Sequence, residues 1–221
     1  MFETHCRHAP RSLLDLGSGG GHNAAHLKAS LTCTLVDLSP NMLALSRLLN
    51  PECEHAKGDM RTVRLGRRFD CVLVHDAVSY MSIRADLADA VRTAFEHTGD
   101  GGAALFQPDF VAETFAPGCE TGGSDGDGRG LRYLEWRWIP PSENEVYITD
   151  MAYLMRDRNG AANVVHERHR MGLFPRAVWL DLIASVGFEA MAVPFDHSSF
   201  SDTGHEVFLG LSPGQNSGEK R

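Results

Sequence analysis

Short apolar runs alternate with amphipathic stretches along the first half of the chain, and this alternation constrains the fold more than any other feature. The apolar runs have the length of strands, and the amphipathic stretches have the period of helices. Such alternation is typical of βαβ units, in which helices cover both faces of a parallel sheet. The predicted strands are residues 12–16, 32–37, 52–56, 69–75 and 101–107, and the predicted helices are residues 22–30, 40–49 and 83–97.

The alternation stops after residue 107. A glycine-rich, acidic stretch at residues 116–130 predicts a mobile loop. Asn159-Gly160 then predicts a hairpin turn between two strand-like runs. The remaining predicted elements are strands at residues 131–139, 145–156 and 162–172, a helix at 175–186, strands at 188–193 and 205–211, and a disordered tail at 213–221.

Together these elements predict an α/β fold for a single domain of residues 1–212. The main sheet is expected to be Rossmann-like, doubly wound and mostly parallel, with seven strands. A small antiparallel sheet is expected as an insertion at about residues 116–174. In open α/β sheets the ligand binds at the carboxyl ends of the strands, so the loops that follow the strands are the candidate site.

Charge and composition exclude several partners. The formal net charge of −8 and the pI near 5.7 argue against nucleic acid and anionic membranes as partners. No apolar run approaches the roughly 20 residues that span a bilayer. The five cysteines contain no CxxC pair, which favours a reducing, cytoplasmic location. No metal site is predicted, because Asp125 and Asp127 lack the other positions of a calcium loop.

A glycine-rich segment, Asp15-Leu-Gly-Ser-Gly-Gly-Gly-His22, follows the first predicted strand. It is not a phosphate-binding P-loop, because no lysine stands at the required position. The dinucleotide fingerprint G-x-G-x-x-G, started at Gly17, fails because His22 stands where the last glycine is required. Started at Gly19, it matches only weakly, with Ala24 in the last position. The pattern that fits is D-x-G-x-G-x-G. It allows backbone to approach a ligand closely, but it leaves the kind of ligand open.

This pattern resembles motif I of the class I S-adenosylmethionine (SAM) methyltransferases, and three later stretches resemble further motifs of that family. They are Asp37-Leu38 with Met42, then Asp59-Met60, then the stretch FDCVLVHDAVSYM at residues 69–81. The resemblance implies SAM as cofactor, with S-adenosylhomocysteine as product. It implies as cofactor-binding residues Asp15, Gly17, Ser18, Gly19, Asp37, Leu38, Met42, Asp59, Met60 and His75.

The second half of the chain resembles the amino-sugar N-methyltransferases in residues 108–118 and 167–176, with Trp179 and Gly187-Phe188. In that group the inserted sheet covers the acceptor and often forms a dimer, so a homodimer is expected. The chain departs from the group at Asp109-Phe110-Val111, where aromatic residues are usual. The resemblance also implies that the chain starts late, with residues 1–9 as the end of a closing helix and an open cofactor cleft.

The predicted function is therefore methyl transfer from SAM to a small-molecule acceptor, with nitrogen preferred over oxygen. The catalytic candidates are His75, Asp76 and Tyr80, in the loop after the fourth strand, where a base would assist an amine or hydroxyl acceptor. Each also has a structural interpretation: His75 contributes only its backbone to the cofactor, Asp76 caps the loop or the following turn, and Tyr80 packs half-buried. Two other functions stay open: an NAD(P)-dependent oxidoreductase, and a SAM-binding protein without catalysis.

Three groups of residues in the second half have two interpretations. A stripe of aromatic residues either forms sheet core or a dimer interface, or lines an acceptor pocket. A histidine-rich stretch forms either a surface ion network or part of an acceptor site. Two histidines flank a polar loop that is expected to be solvated. In order, these groups are Trp136, Trp138, Tyr147 and Tyr153; His166, Glu167, His169 and Arg170; and His197 with His205.

Overall fold

The computed structural model describes residues 1–195 and 206–214. Its strands and helices, in chain order, are α1 (Phe2–His5), β1 (Ser12–Leu16), α2 (His22–Leu27), β2 (Thr32–Asp37), α3 (Pro40–Leu49), β3 (Glu54–Lys57), β4 (Phe69–His75), a 3-10 turn (Ala77–Tyr80), α4 (Arg84–His97), β5 (Thr98–Gln107), β6 (Gly118–Gly126), β7 (Arg129–Trp138), β8 (Val146–Arg156), β9 (Ala162–Gly172), α5 (Arg176–Ser185), β10 (Glu189–Pro194) and β11 (Glu206–Leu211). The loop with His197 and His205, and residues 215–221 of the predicted tail, lie outside the described residues.

The main sheet has seven strands in the order β10-β11-β5-β4-β1-β2-β3. Strands β1 to β5 pair in parallel, and β11 runs antiparallel to both of its neighbours. The predicted α/β class, the mostly parallel sheet and the separate antiparallel sheet are therefore confirmed. Every predicted strand and helix occurs, with bounds that differ by at most three residues.

The helices bury both faces of the main sheet because its strands are apolar on both sides. On one face α4 and α5 cover a cluster that includes Phe106, Trp179 and Phe208. The rings of Trp179 and Phe208 stack at a centroid distance of 5.2 Å. On the other face Leu13, Ala24 and Leu35 belong to a second buried cluster, against which α2 packs. This rigid sheet holds the loops at its carboxyl edge in place.

Residues 116–130 do not form the mobile loop that the sequence predicts. They contain β6, which pairs with β7 over nine register positions around a turn at Asp127-Gly128. Two of the glycines here are explained by close packing. A Cβ on Gly122 would lie 2.6 Å from the Tyr133 ring, and a Cβ on Gly123 would clash with the Leu131 carbonyl oxygen. The inserted sheet therefore has four antiparallel strands, in the order β6-β7-β8-β9.

Residues 1–9 lie at the amino edge of the main sheet, which is the edge opposite the glycine-rich loop. The Arg7 amide donates to the Gly101 carbonyl at 2.9 Å, and His8 Nε2 lies 2.8 Å from Asp70 Oδ1. Asp70 also accepts the Arg11 and Ser12 amides. This segment therefore closes the beginning of β4 and β5, and it is remote from the carboxyl ends of the strands.

Candidate active site

The glycine-rich loop turns sharply over the end of β2. The amides of Gly17 and Ser18 both donate to the Val36 carbonyl, at 2.8 and 3.0 Å. Gly17 has a φ of +80°, and a Cβ there would stand 2.5 Å from the Ala77 Cβ. Glycine is therefore required at Gly17 for two separate reasons: the backbone conformation and the contact with the loop after β4.

Asp37, at the end of β2, holds two backbone segments together. Its Oδ2 accepts the Gly19 amide at 2.8 Å, and its Oδ1 accepts the Ser39 amide at 2.7 Å. Ser39 in turn caps α3 through the Met42 amide. The carboxylate therefore shapes the glycine loop and the start of α3, and each oxygen keeps a second lone pair for a ligand hydroxyl.

Asp15, just before the loop, is the most unusual carboxyl group of this region. Its side chain is buried, and within residues 1–195 and 206–214 neither carboxyl oxygen has a hydrogen-bond partner. Burial, with a smaller contribution from Asp37, raises its pKa to about 7. The alternative of a structural acceptor for loop amides therefore does not hold. A buried, unpaired carboxyl group is instead suited to a cationic ligand group.

A cavity of about 170 Å³ opens beside this loop. Five of the predicted cofactor-binding residues line it, from the ends of β1, β2 and β3. The other five predicted residues, Asp15, Ser18, Gly19, Met42 and His75, are not among its lining residues, and Met42 is 44% exposed. The lining consists of Gly17, Asp37, Leu38, Gly58, Asp59, Met60, Arg61, Ala77, Tyr80 and Met81.

Arg61 is a member of this lining that the sequence patterns do not single out. Its guanidinium donates to both oxygens of Asp59, with a shortest distance of 2.6 Å, and to Asp86 on α4 at 2.8 Å. The Arg61 hydrogen bonds lower the pKa of Asp59. Asp59 is therefore fixed as a carboxylate at the cavity wall, and Arg61 ties that wall to α4.

A second cavity, of about 460 Å³, lies between the carboxyl ends of β4 and β5 and one face of the inserted sheet. Tyr80 lines both cavities, so the two adjoin at the 3-10 turn. The lining consists of His75, Asp76, Tyr80, Gln107, Pro108, Asp109, Phe110, Glu120, Glu135, Arg137, Tyr147, Thr149, Met151, Tyr153, His169, Met171, Phe195 and Glu206.

All three predicted catalytic residues line this second cavity. His75 accepts from Asn23 Nδ2 at 3.3 Å through Nδ1, and its Nε2 lies 3.1 Å from Asp76 Oδ1. Asp76 has a φ of +47°, an unusual value for a residue with a side chain. The Tyr80 hydroxyl lies 3.0 Å from His169 Nδ1. The loop is thereby held between α2 and the inserted sheet.

The aromatic residues of the insertion do not form a single stripe. In the register of β7 and β8, Trp136 stands opposite Asp150 and Trp138 opposite Ile148. The tryptophans therefore face away from the cavity, whereas Tyr147 and Tyr153 line it. Neighbouring residues point to opposite faces of a sheet, so only the two tyrosines are positioned for an acceptor pocket, and that role stays a prediction.

The histidine-rich stretch divides in the same way. His166 and Arg168 bind Asp150 on the outer face, each at 2.8 Å. On the inner face His169 lies against Tyr80, and Glu167 is 3.5 Å from His169. The stretch thus contributes a surface ion network on one side of the sheet and a single cavity residue on the other.

No helix in residues 1–195 and 206–214 is long and apolar enough to cross a membrane. Over the same residues, no group of three or more histidine, cysteine or acidic side chains is arranged to bind a metal ion.

Comparison with known proteins gives the family. Residues 13–102 match the model of a methyltransferase domain. A Streptomyces fradiae dTDP-3-amino-3,6-dideoxy-alpha-D-glucopyranose N,N-dimethyltransferase is 30% identical over 210 residues, which are 93% of this chain and 79% of that protein. The structure of Streptomyces venezuelae DesVI superimposes with a TM-score of 0.85 at 24% identity, over 96% of this chain and 87% of the other.

A further solved structure resembles the chain and contains the cofactor. It is a SAM-bound amino pentose methyltransferase from Micromonospora echinaspora, with a TM-score of 0.80 and 25% identity, covering 95% of this chain and 86% of the other. The unpaired Asp15 and the carboxylate of Asp37 fit a ligand that combines cationic groups with ribose hydroxyls. Methyltransferase is thereby favoured over oxidoreductase. The chain belongs to the class I SAM-dependent methyltransferases, in the family that includes the amino-sugar N-methyltransferases, and it transfers a methyl group from SAM to a small-molecule acceptor.

Proposed function

We propose that the acceptor is the amino group of a nucleotide-linked deoxyamino sugar, which is methylated on nitrogen. The observation that carries this proposal is the cavity of about 460 Å³ that adjoins the smaller cavity at Tyr80 and whose lining includes Asp76, Asp109 and Glu135. Such a lining attracts a cationic amine. The Streptomyces fradiae relative is named for an acceptor of this kind.

The cofactor is assigned to the smaller cavity. Asp37, Leu38, Met60 and Asp59 line this cavity, and we assign Asp37 to the ribose hydroxyls and the other three to the adenine. Asp15, Gly17, Ser18 and Gly19 form the loop for the amino-acid end, with His75 beside it. Met42, exposed on α3, is assigned the outer edge of the adenine.

SAM supplies a methyl group on a sulfonium that leaves as a neutral thioether, so the protein mainly binds and orients. Tyr80 lines both cavities, so the two proposed sites meet beside it. Holding the acceptor nitrogen about 3–3.5 Å from the methyl carbon can lower the barrier by roughly 7–11 kcal/mol. His75, Asp76 and Tyr80 are the candidate residues for orienting the amine and moving its proton.

The cofactor assignment is tested by calorimetric titration with S-adenosylhomocysteine, with NAD as the control ligand. We expect micromolar binding of S-adenosylhomocysteine alone. Asp37→Asn should weaken it at least about tenfold, because hydrogen bonds to a charged group contribute roughly 1.5–3 kcal/mol. Asp89→Asn, an exposed carboxylate on α4, is the matched control. Tighter binding of NAD would refute the assignment.

The acceptor is tested by turnover of paired sugar nucleotides. We expect methylation of a dTDP-3-amino-3,6-dideoxyhexose, and none of the analogue with a hydroxyl at the same carbon. Mass spectrometry of the product counts the methyl groups added. Methylation of the hydroxyl analogue alone would replace this proposal with O-methylation.

A homodimer is proposed through the outer face of the inserted sheet. Four apolar side chains stand exposed on it: Leu134 (41%), Trp136 (54%), Leu154 (47%) and Val164 (69%). Several exposed apolar side chains on one face are typical of an interaction surface. Light scattering should give a dimer for the wild type and a monomer for Trp136→Ser. A monomeric wild type at micromolar concentration would exclude the dimer.

Three broader expectations also remain proposals. We propose that residues 1–212 form one domain, since the inserted sheet supplies one wall of the larger cavity. A cytoplasmic location is supported by the cysteines, which are all free thiols. The net charge of −8 supports a small molecule over nucleic acid as the partner.

A further inference from the structure

Two aspartates stand side by side where β4 and β5 end. Asp76 directly follows the last residue of β4, and Asp109 is separated from the end of β5 by Pro108. The two strands are neighbours, with His75 opposite Gln107, and the Asp76 amide donates to the Gln107 carbonyl at 2.9 Å. Both side chains line the larger cavity. The ends of β4 and β5 therefore place two carboxyl groups together on the wall of this cavity.

Three further elements fix this carboxyl pair in position. The Tyr147 hydroxyl on β8 donates to Asp109 Oδ2 at 3.1 Å. The Asp109 amide donates to Ser79 Oγ in the 3-10 turn at 3.0 Å. Asp76 itself adopts a φ of +47°, a conformation that costs about 1–3 kcal/mol and is concentrated at functional sites. The fold therefore holds Asp76 and Asp109 in these positions despite the backbone strain at Asp76.

The surroundings make Asp109 a proton acceptor suited to neutral pH. Burial, and next the charge of Asp76, raise its pKa to about 6, against lowering contributions from Tyr147 and His75. The other carboxylates that face the cavity are Glu120, Glu135 and Glu206. The cations and phenols that face it are Arg137, His169, Tyr80 and Tyr153.

We propose that the Asp76–Asp109 pair binds the protonated amine of the acceptor and removes its proton before methyl transfer. This inference rests on the proposed N-methylation. An N–H bond of the ammonium breaks and its proton passes to the pair. The freed nitrogen lone pair then attacks the methyl carbon as the carbon–sulfur bond breaks. The thioether leaves with that bond's electrons, and the proton reaches water through Asp76, whose side chain is 64% exposed.

The test is the pH dependence of kcat/KM with the dTDP-3-amino sugar and SAM. We expect Asp109→Asn to lower kcat/KM about 10²-fold at pH 6.5, within the range of general base catalysis. The deficit should shrink above the pKa of the acceptor amine, near 8 for an amine of this type, because the neutral amine then binds directly. Micromolar binding of S-adenosylhomocysteine should persist, and Asp89→Asn should match the wild type.

Asp76→Asn gives a result that a merely structural role would not. In the wild type, kcat/KM should fall as pH drops below about 6. Removing the like charge of Asp76 lowers the pKa of Asp109, so this acid limb should move to lower pH. Carbon NMR of labelled aspartate should show Asp109 titrating near pH 6 in the wild type and lower in Asp76→Asn, independently of turnover.

Two results would overturn the inference while N-methylation stands. One is a kcat/KM of Asp109→Asn that stays within twofold of the wild-type value and falls at the same acidic pH as in the wild type. The other is titration of Asp109 at an ordinary aspartate value. A wild type that methylates only the hydroxyl analogue would overturn the proposed function itself.

Discussion

The main sheet and the inserted sheet differ in how their sequences relate to their structures. In the main sheet the central strands are buried on both faces, and Gly17, Asp37 and Asp59 lie at or just after the ends of strands. In the inserted sheet one face lines a cavity and the other is exposed, so adjacent residues have unrelated roles. The proposed cofactor site therefore depends on short local motifs, whereas the proposed acceptor site depends on strand register.

The largest expected effect of a single substitution is in the glycine loop. Gly17→Ala should lower the free energy of unfolding by about 2–5 kcal/mol, because strain at positive φ adds to a contact 2.5 Å from Ala77. S-adenosylhomocysteine affinity should fall more than tenfold. Denaturant unfolding and calorimetry measure the two quantities.

Gly66→Ala is the matched control for this prediction. Its φ of +68° is similarly positive, and a Cβ there meets nothing within 4 Å. It should cost only about 1–2 kcal/mol and leave cofactor affinity unchanged. Equal losses in the two variants would show that the contact with Ala77 does not matter.

Asp15→Asn should stabilise the ligand-free protein. The pKa of Asp15 is about 7 when folded and near 3.8 when unfolded, so wild-type stability falls as pH rises from about 4 to 7. Asparagine removes this penalty, which amounts to at most about 4 kcal/mol above pH 7. At pH 4 the two proteins should be nearly equal in stability.

Cofactor affinity should move in the opposite direction in Asp15→Asn. We assign the Asp15 carboxylate as the partner of the cationic end of the cofactor. The asparagine amide lacks this negative charge, so S-adenosylhomocysteine should bind more weakly at pH 8. A stability difference that does not change between pH 4 and pH 8 would contradict the role of burial at Asp15.

The smallest effect is expected in the inserted sheet. Asp150 accepts hydrogen bonds from Trp138, His166 and Arg168, and the Arg168 bonds contribute most to holding its pKa below the usual range. Asp150→Asn should lower the free energy of unfolding by about 1–2 kcal/mol at pH 7. Since the lowered pKa stabilises the fold above about pH 4, the difference should vanish in acid.

The same substitution separates the two sheets. S-adenosylhomocysteine affinity of Asp150→Asn should stay within twofold of the wild type, because Asp150 faces away from both cavities. Asp181→Asn, an exposed residue of α5, is the control for charge alone. A tenfold loss of affinity would mean that the inserted sheet and the cofactor loop are coupled.

The sequence by itself determined the class of fold, the order of elements and the family. It could do so because the hydrophobic period and the turn residues are local features of the sequence, and because the residues of the proposed cofactor site lie at strand ends or in the loops that follow them. Asp37, Asp59 and Met60 line the predicted cavity for this reason. The prediction of a mobile loop at residues 116–130 was wrong, because a glycine-rich composition is found both in flexible loops and in strands that pack closely against neighbouring side chains.

Only the tertiary structure decided which side chains meet across elements. Arg61 reaches Asp86 on α4, Tyr147 reaches Asp109 from the inserted sheet, and His169 reaches Tyr80. These partners are separated by 25, 38 and 89 residues. Such contacts follow from sheet order and register, and a shift of one residue in register would turn every side chain of a strand to the other face.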